Sequence, residues 1–215
     1  MNMTVREIAE ACGGKILRGS PETVISSVAV DSRQAGPGVL FVPVVGEKTD
    51  AHRYLGKAFS AGTAAALTQE PDCPSGSGGA LIAVGDTRAA LRKTAAAWRG
   101  RFHGPVVGVT GSVGKTTTKE MTALAVSAGM SVVKTEGNQN SQIGLPLTIF
   151  RLSPEYDAAV VEMGMSEFGE MSRIAAVAAP DYAVMTNIGL SHIGRISGRR
   201  NCISPTAFMR AQSCF

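Results

Sequence analysis

Short apolar runs separated by polar, glycine- and proline-rich breaks divide the chain into two successive patterns. Thr4 with Glu7 three residues on forms a capping box and Gly13-Gly14 a stop, which predicts a helix over 5–12. β-rich runs follow at 23–30 and 39–45, broken by Ala35-Gly-Pro-Gly38, a turn-favouring stretch. A helix ending near Ala61-Gly62 and strands at 64–67 and 80–84 complete a small α/β unit over residues 1–85. Asp86 or Thr87 caps a linking helix within residues 86–103, and Gly104-Pro105 punctuates the chain. From there the pattern is strand 106–110, helix 115–128, strands 131–134 and 157–163, helix 167–178 and strand 182–187. Strands alternating with helices predict a doubly wound parallel sheet. The continuously apolar Ala158-Ala-Val-Val161 suits a strand covered on both faces.

Composition narrows the class. A chain of 215 residues with 44% hydrophobic, 18% charged and 25 glycine residues is globular rather than disordered or fibrous. The longest stretch without a charged side chain, Gly137 to Phe150, is 14 residues long and polar, which excludes a transmembrane helix. No apolar signal region is visible at the N-terminus, so a cytosolic location is expected. Cys12, Cys73, Cys202 and Cys214 are widely spaced without a CxxC pair, and no metal ribbon or catalytic thiol is expected from them. The net charge of +4 suggests nucleic acid only until it is mapped. Residues 1–193 hold 17 basic and 17 acidic residues, and the excess is Arg195, Arg199, Arg200 and Arg210. Neither a nucleic-acid partner nor membrane insertion is expected, and no obligate protein partner is indicated.

The chemistry concentrates at 106–118, where a buried strand runs into Thr110-Gly-Ser-Val-Gly-Lys-Thr-Thr-Thr118. Gly111, Ser112, Val113, Gly114, Lys115, Thr116 and Thr117 form a small-residue turn opening a helix, whose backbone amides converge on a phosphate. Lys115 suits the β and γ phosphates of ATP and the Thr116 hydroxyl suits Mg²⁺. The general spacing GxxxxGK[ST] asks for glycine at 109, where this chain has valine. Glu162 and His192 fall at or just beyond the ends of predicted parallel strands, on the edge that carries the loop. Together with Thr116 they are candidate metal ligands, and with Lys115 candidate catalytic residues. Glu162 reads equally as a capping or ion-paired acid, and His192 as an exposed loop residue. Asn138 and Asn140 read as turn formers beside Gly137, and Ser32-Arg33 as a surface turn. Trp98 reads as a packing residue.

The loop variant resembles the ATP loop of the Mur ligases, which add amino acids to the peptidoglycan precursor. Gly137-Asn-Gln-Asn-Ser-Gln-Ile-Gly-Leu-Pro146 is similar to that family's Asn-rich substrate loop, with Ser141 where a further Asn is common. Val161-Glu-Met-Gly164 with Gly169-Glu170, and Thr186-Asn-Ile-Gly-Leu-Ser-His192, resemble its strand-end motifs. Asp31-Ser-Arg33, Leu40-Phe-Val-Pro43 and Asp50-Ala-His52 are similar to the uridine-sugar domain of the branch that adds D-alanyl-D-alanine, with Ala51 replacing a usual Gly. The resemblance implies a UDP-sugar domain over 1–85 and part of a central ATP-binding domain over 104–193. It implies ATP and Mg²⁺ as cofactors and UDP-N-acetylmuramoyl-tripeptide and D-alanyl-D-alanine as substrates. Substrate contacts would fall on Ser32, Arg33, Asn138 and Asn140.

The motif-by-motif likeness stops after Ile193, and residues 194–215 form a basic tail with no helical or alternating apolar pattern. Two accounts of this tail stay open: a divergent surface tail, and a frameshift near codon 194, which is expected because Ile196-Ser-Gly-Arg-Arg-Asn201 can encode Leu-Gly-Ser-x-Glu in another frame. The expectation is a truncated ligase, inactive as this chain. Two other readings stay open: a non-catalytic fragment binding UDP-sugar and phosphate, and a related ligase adding a single amino acid.

Overall fold

The computed structural model describes residues 1–46, 49–70, 78–167 and 169–189. It divides into two compact units, Met1–Ala97 and Trp98–Phe215. Among the described residues no helix is long and apolar enough to cross a membrane.

In the first unit, β1 (Met3–Thr4) leads into α1 (Val5–Cys12). The Thr4 hydroxyl accepts from the Glu7 amide while the Glu7 carboxylate accepts from the Thr4 amide at 2.7 Å, so the helix starts where the capping box predicts. Gly13, at φ 71°, ends it. Then come β2 (Lys15–Arg18), β3 (Val24–Ile25), β4 (Ser27–Ala29), β5 (Val39–Phe41), α2 (Leu55–Ser60), β6 (Ala65–Thr68) and β7 (Ala80–Ala83). The sheet order is β2-β7-β6-β5-β4, parallel except for β2. The single run expected at 23–30 is two strands. The chain breaks at Ser26, whose amide bonds Gly38 O, so β3 pairs with β1 and β4 with β5. Phe41, Leu55, Ala58, Phe59, Ala66 and Leu81 form the core beneath the sheet.

α3 (Thr87–Arg99) carries the chain into the second unit, which holds β8 (Val106–Thr110), α4 (Lys115–Val126), β9 (Val132–Lys134), α5 (Gly144–Ile149), β10 (Ala158–Glu162), α6 (Glu170–Ala178) and β11 (Tyr182–Met185). All four strands are parallel in the order β11-β8-β10-β9. From β8 the chain crosses outward to β9, returns to β10, then passes to the far side of β8. Right-handed crossovers in opposite directions put α4 on one face and α5 and α6 on the other. The sheet is doubly wound, as the alternation predicts. β10 is buried at every position.

The helix expected from 167 begins at Glu170, after Gly169 at φ 75°. The α5 helix was not expected, since Gly144 and Pro146 stand in its first turn, where both residues are tolerated. Trp98 is buried and its indole donates to Leu152 O at 3.0 Å, which pins the start of this unit. Beside it the buried Arg99 guanidinium donates to Ala178 O, Phe102 O, Ala179 O and Asp181 Oδ2, all at 2.9–3.0 Å. Burial pushes its pKa below the usual guanidinium value, opposed by Asp181.

Candidate functional site

Three parallel strand ends build the site. Register pairs Val109 with Glu162 and Thr110 with Met185, so the carboxyl ends of β8, β10 and β11 meet on one edge of the sheet. Ligands of open α/β sheets bind at that edge. Val109 is fully buried within β8, which explains its departure from the general loop spacing: the turn begins two residues later, at Gly111. Gly111 (φ 136°) and Gly114 (φ 85°) occupy conformations that side chains rarely adopt. α4 then starts at Lys115 without a side-chain cap, so its first-turn amides at Lys115, Thr116 and Thr117 lack the acceptor that a capping side chain would supply. Such a helix start is a ready anion site. The Lys115 ammonium folds over the turn, 2.8 Å from Gly111 O and 3.4 Å from Ser112 O.

Glu162 is 2% exposed at the end of β10. Thr116 Oγ1 donates to its Oε2 at 2.9 Å and Asn140 Nδ2 to its Oε1 at 2.7 Å. Its own amide donates to Thr135 Oγ1 at 2.9 Å. Among the described residues no Lys or Arg pairs with this carboxylate. The structure thus brings Lys115, Thr116, Asn140 and Glu162 together. Asn138 is exposed, with its carbonyl accepting from the Asn140 amide at 2.8 Å, and lies in the turn after Gly137. Val113 is exposed, and Ser112 Oγ accepts from the Gly189 amide at 2.8 Å. His192, the tail 194–215, Cys73, Cys202 and Cys214 lie outside the described residues.

Ser32 and Arg33 sit in the other unit, on a 3-10 turn (Ser32–Gln34) that Asp31 caps between β4 and β5. Arg33 is exposed and paired to Asp31, and its side chain holds the Asp31 carboxyl at about 2, well below the carboxylate norm. In the same unit Asp50, His52 and Glu70 place ligand-type atoms close together. Both nitrogens of the buried His52 are already engaged, Nδ1 with Asp50 Oδ1 at 2.6 Å and Nε2 accepting from the Gln69 amide at 3.0 Å. This is a satisfied structural histidine.

Four residues around the site are not singled out from sequence: Lys119 and Thr135, and Thr186 and Asn187, which stand in a strand-end motif but carry no assigned role there. A signal existed for two of them, because a threonine closes or follows β8, β9 and β11 alike, at Thr110, Thr135 and Thr186. Lys119, one turn beyond Lys115, is 1% exposed, and its ammonium donates to Thr135 O at 2.8 Å and pairs with Glu120 at 2.8 Å. Glu120 also pairs with Lys134, and the Lys119 bond first, then Lys134, holds its carboxyl at about 2. A carboxyl depressed on folding contributes stability that is complete above its unfolded value near 4.5 and is lost as pH falls towards 2. Glu120→Gln is therefore expected to flatten the fall of unfolding free energy between pH 4.5 and 2, measured by urea titration at a series of pH values. An unchanged slope would count against the coupling.

The Mur ligase middle-domain family matches residues 109–205, a span that covers the Gly111–Gly114 turn, Glu162 and β11 and runs past Ile193 into the basic stretch. The chain is 40% identical over 190 residues to the UDP-N-acetylmuramoyl-tripeptide--D-alanyl-D-alanine ligase of Synechocystis, and 43% over 199 residues to that of Bacillus subtilis. Over residues 109–205 the chain thus matches the Mur ligase middle domain, and along most of its length it is similar to ligases of that family. The alignments take in 88% and 91% of this chain but 42% and 43% of those two relatives. A crystal structure of MurF from Acinetobacter baumannii superposes with a TM-score of 0.88 at 31% identity, over 98% of this chain and 46% of that one. The Thermotoga maritima MurF ligase in complex with ADP superposes at 0.77 and 32% identity, over 86% and 43%. This chain therefore spans less than half the length of the relatives it matches.

Proposed function

We propose that the chain supplies the nucleotide-phosphate site and the uridine-sugar domain of a cytosolic, ATP-dependent ligase that joins D-alanyl-D-alanine to UDP-N-acetylmuramoyl-tripeptide. The observation that carries this reading is the convergence of Thr116 and Asn140 on the buried Glu162 beside Lys115 and an uncapped helix start. The relatives' names supply the substrates, and the ADP complex of the Thermotoga neighbour supports the nucleotide.

In this reaction a tripeptide carboxylate oxygen attacks the γ phosphorus of ATP, forming an acyl phosphate and releasing ADP. The D-alanyl-D-alanine amine then attacks the acyl carbon, and phosphate leaves as the amide forms. Phosphate leaves readily where oxide would not. The helix-start amides and Lys115 hold the phosphates in line and offset the charge that gathers on the transferring group. A buried carboxylate that takes a hydroxyl and an amide, with no cationic side chain among the described residues paired to it, fits the hard oxygen donor set of Mg²⁺. Thr116 and Glu162 would hold that ion, with His192 proposed on its motif. It would supply charge neutralisation between nucleotide phosphates and the substrate carboxylate. Asn140 orients Glu162, while Asn138, Ser32 and Arg33 are proposed substrate contacts.

Phosphate release in the presence of ATP, Mg²⁺ and the tripeptide tests the proposal. Nucleotide binding without amine-dependent release is the expected result for this chain. Release that depends on added D-alanyl-D-alanine would overturn the expectation that the chain is inactive, and release driven equally by a single amino acid would favour a related ligase.

A further inference from the structure

The segment that follows β11 grips the phosphate loop, and its bonds divide the loop's amides into two sets. Asn187 Oδ1 accepts from the Ser112 amide at 3.1 Å and from the Val113 amide at 3.0 Å, and Asn187 O accepts from the Ser112 amide at 3.1 Å. Thr186 Oγ1 donates to Val113 O at 2.6 Å, and Ser112 Oγ accepts from the Gly189 amide. Two successive amides converging on one acceptor make a small anion-type concavity, and here a side-chain oxygen already fills it. The amides of the α4 start have no such side-chain partner.

We infer that Asn187 is a positioning residue for the nucleotide. It takes up the amides of Ser112 and Val113, fixes the turn between Gly111 and Gly114, and leaves the helix-start amides of Lys115 to Thr117 as the set that receives the diphosphate. The inference rests on the phosphate-loop reading above and assigns a role to a residue that would touch the loop, not the reacting atoms.

The test uses the whole chain with two readouts: titration with ADP and Mg²⁺, and amide hydrogen exchange at Ser112 and Val113. Asn187→Ala is expected to lose protection at those two amides and to bind ADP at least tenfold more weakly. Asn187→Asp keeps an acceptor oxygen in place, so it is expected to restore the protection and to bind ADP more tightly than the alanine variant. Equal or tighter ADP binding by Asn187→Ala would overturn the inference; tighter binding would mean that Asn187 competes with phosphate. Restored protection with no gain in affinity would overturn it too, by reducing Asn187 to a structural strut. If the alanine variant does not fold, Asn187→Asp against wild type decides: protection kept with affinity within about tenfold supports the role, and protection kept with binding abolished removes it. Failure of the wild-type chain to bind ADP would instead refute the phosphate-loop reading itself.

Discussion

Glu162→Gln is expected to abolish the strengthening of ADP binding by Mg²⁺ while leaving the fold in place. The substitution preserves size and one carbonyl oxygen, so either Thr116 or Asn140 keeps its acceptor. What it removes is the negative charge. At the buried end of β10 no cationic side chain among the described residues pairs with that charge, so losing it strands no cation, and with the new carbonyl facing Asn140 the Thr116 hydroxyl can turn to accept from the new NH2. Removing a buried charge without stranding a partner usually leaves stability unchanged or slightly raised. A hard divalent ion depends on carboxylate oxygen, and neutral amide oxygen is a much poorer ligand. Isothermal titration with ADP, with and without Mg²⁺, should therefore show a metal-dependent gain on the order of tenfold or more in the wild type and none in the variant. A variant that kept the full gain would remove Glu162 from the metal site. A variant that melted well below the wild type would show that the carboxylate is chiefly a structural acceptor for Asn140 and Thr116.

The parts of this molecule that were legible in sequence are those fixed by near neighbours. Thr4 and Glu7 mark the start of α1 because the capping bonds span three residues. β8 and the start of α4 follow from one continuous apolar run meeting a glycine turn. Legibility fails where distant segments decide. Asn138 and Asn140 are equivalent as turn formers, yet only Asn140 reaches Glu162, because the chain closes on Gly164. The Gly164 amide donates to Asn140 O at 2.8 Å, and a Cβ there would stand 2.9 Å from Asn140 Cγ. Asn187 meets the phosphate loop across about 75 positions of sequence, and no local pattern announces the contact. Lys119 reads as a solvated helix lysine, and its burial depends on the carbonyl that Thr135 presents from β9. The split between β3 and β4 similarly depends on Gly38 capturing the Ser26 amide.

Gly111→Ala is expected to be the most damaging small substitution in the loop, and comparison with Gly114→Ala isolates the reason. Both glycines have positive φ, so each alanine meets backbone strain of roughly 1 to 3 kcal/mol. The surroundings differ. A Cβ on Gly111 would lie 2.0 Å from Thr186 Oγ1 and 3.1 Å from both Asn187 N and Asn187 O, whereas one on Gly114 meets nothing nearer than Thr186 Cβ at 3.9 Å. Thr186 cannot retreat freely, since its hydroxyl donates to Val113 O and its amide to Thr110 O. Crowding adds about 1 to 3 kcal/mol, which puts Gly111→Ala near 2 to 6 kcal/mol in total against about 1 to 3 for Gly114→Ala. Urea unfolding of both variants measures the difference. Thr186→Ala in the Gly111→Ala background removes the nearest atom but not the strained φ, so it should recover part of the loss and no more. Full recovery would assign the whole cost to the clash. No recovery would place it in the backbone alone, leaving Thr186 out of the mechanism by which β11 shapes the loop.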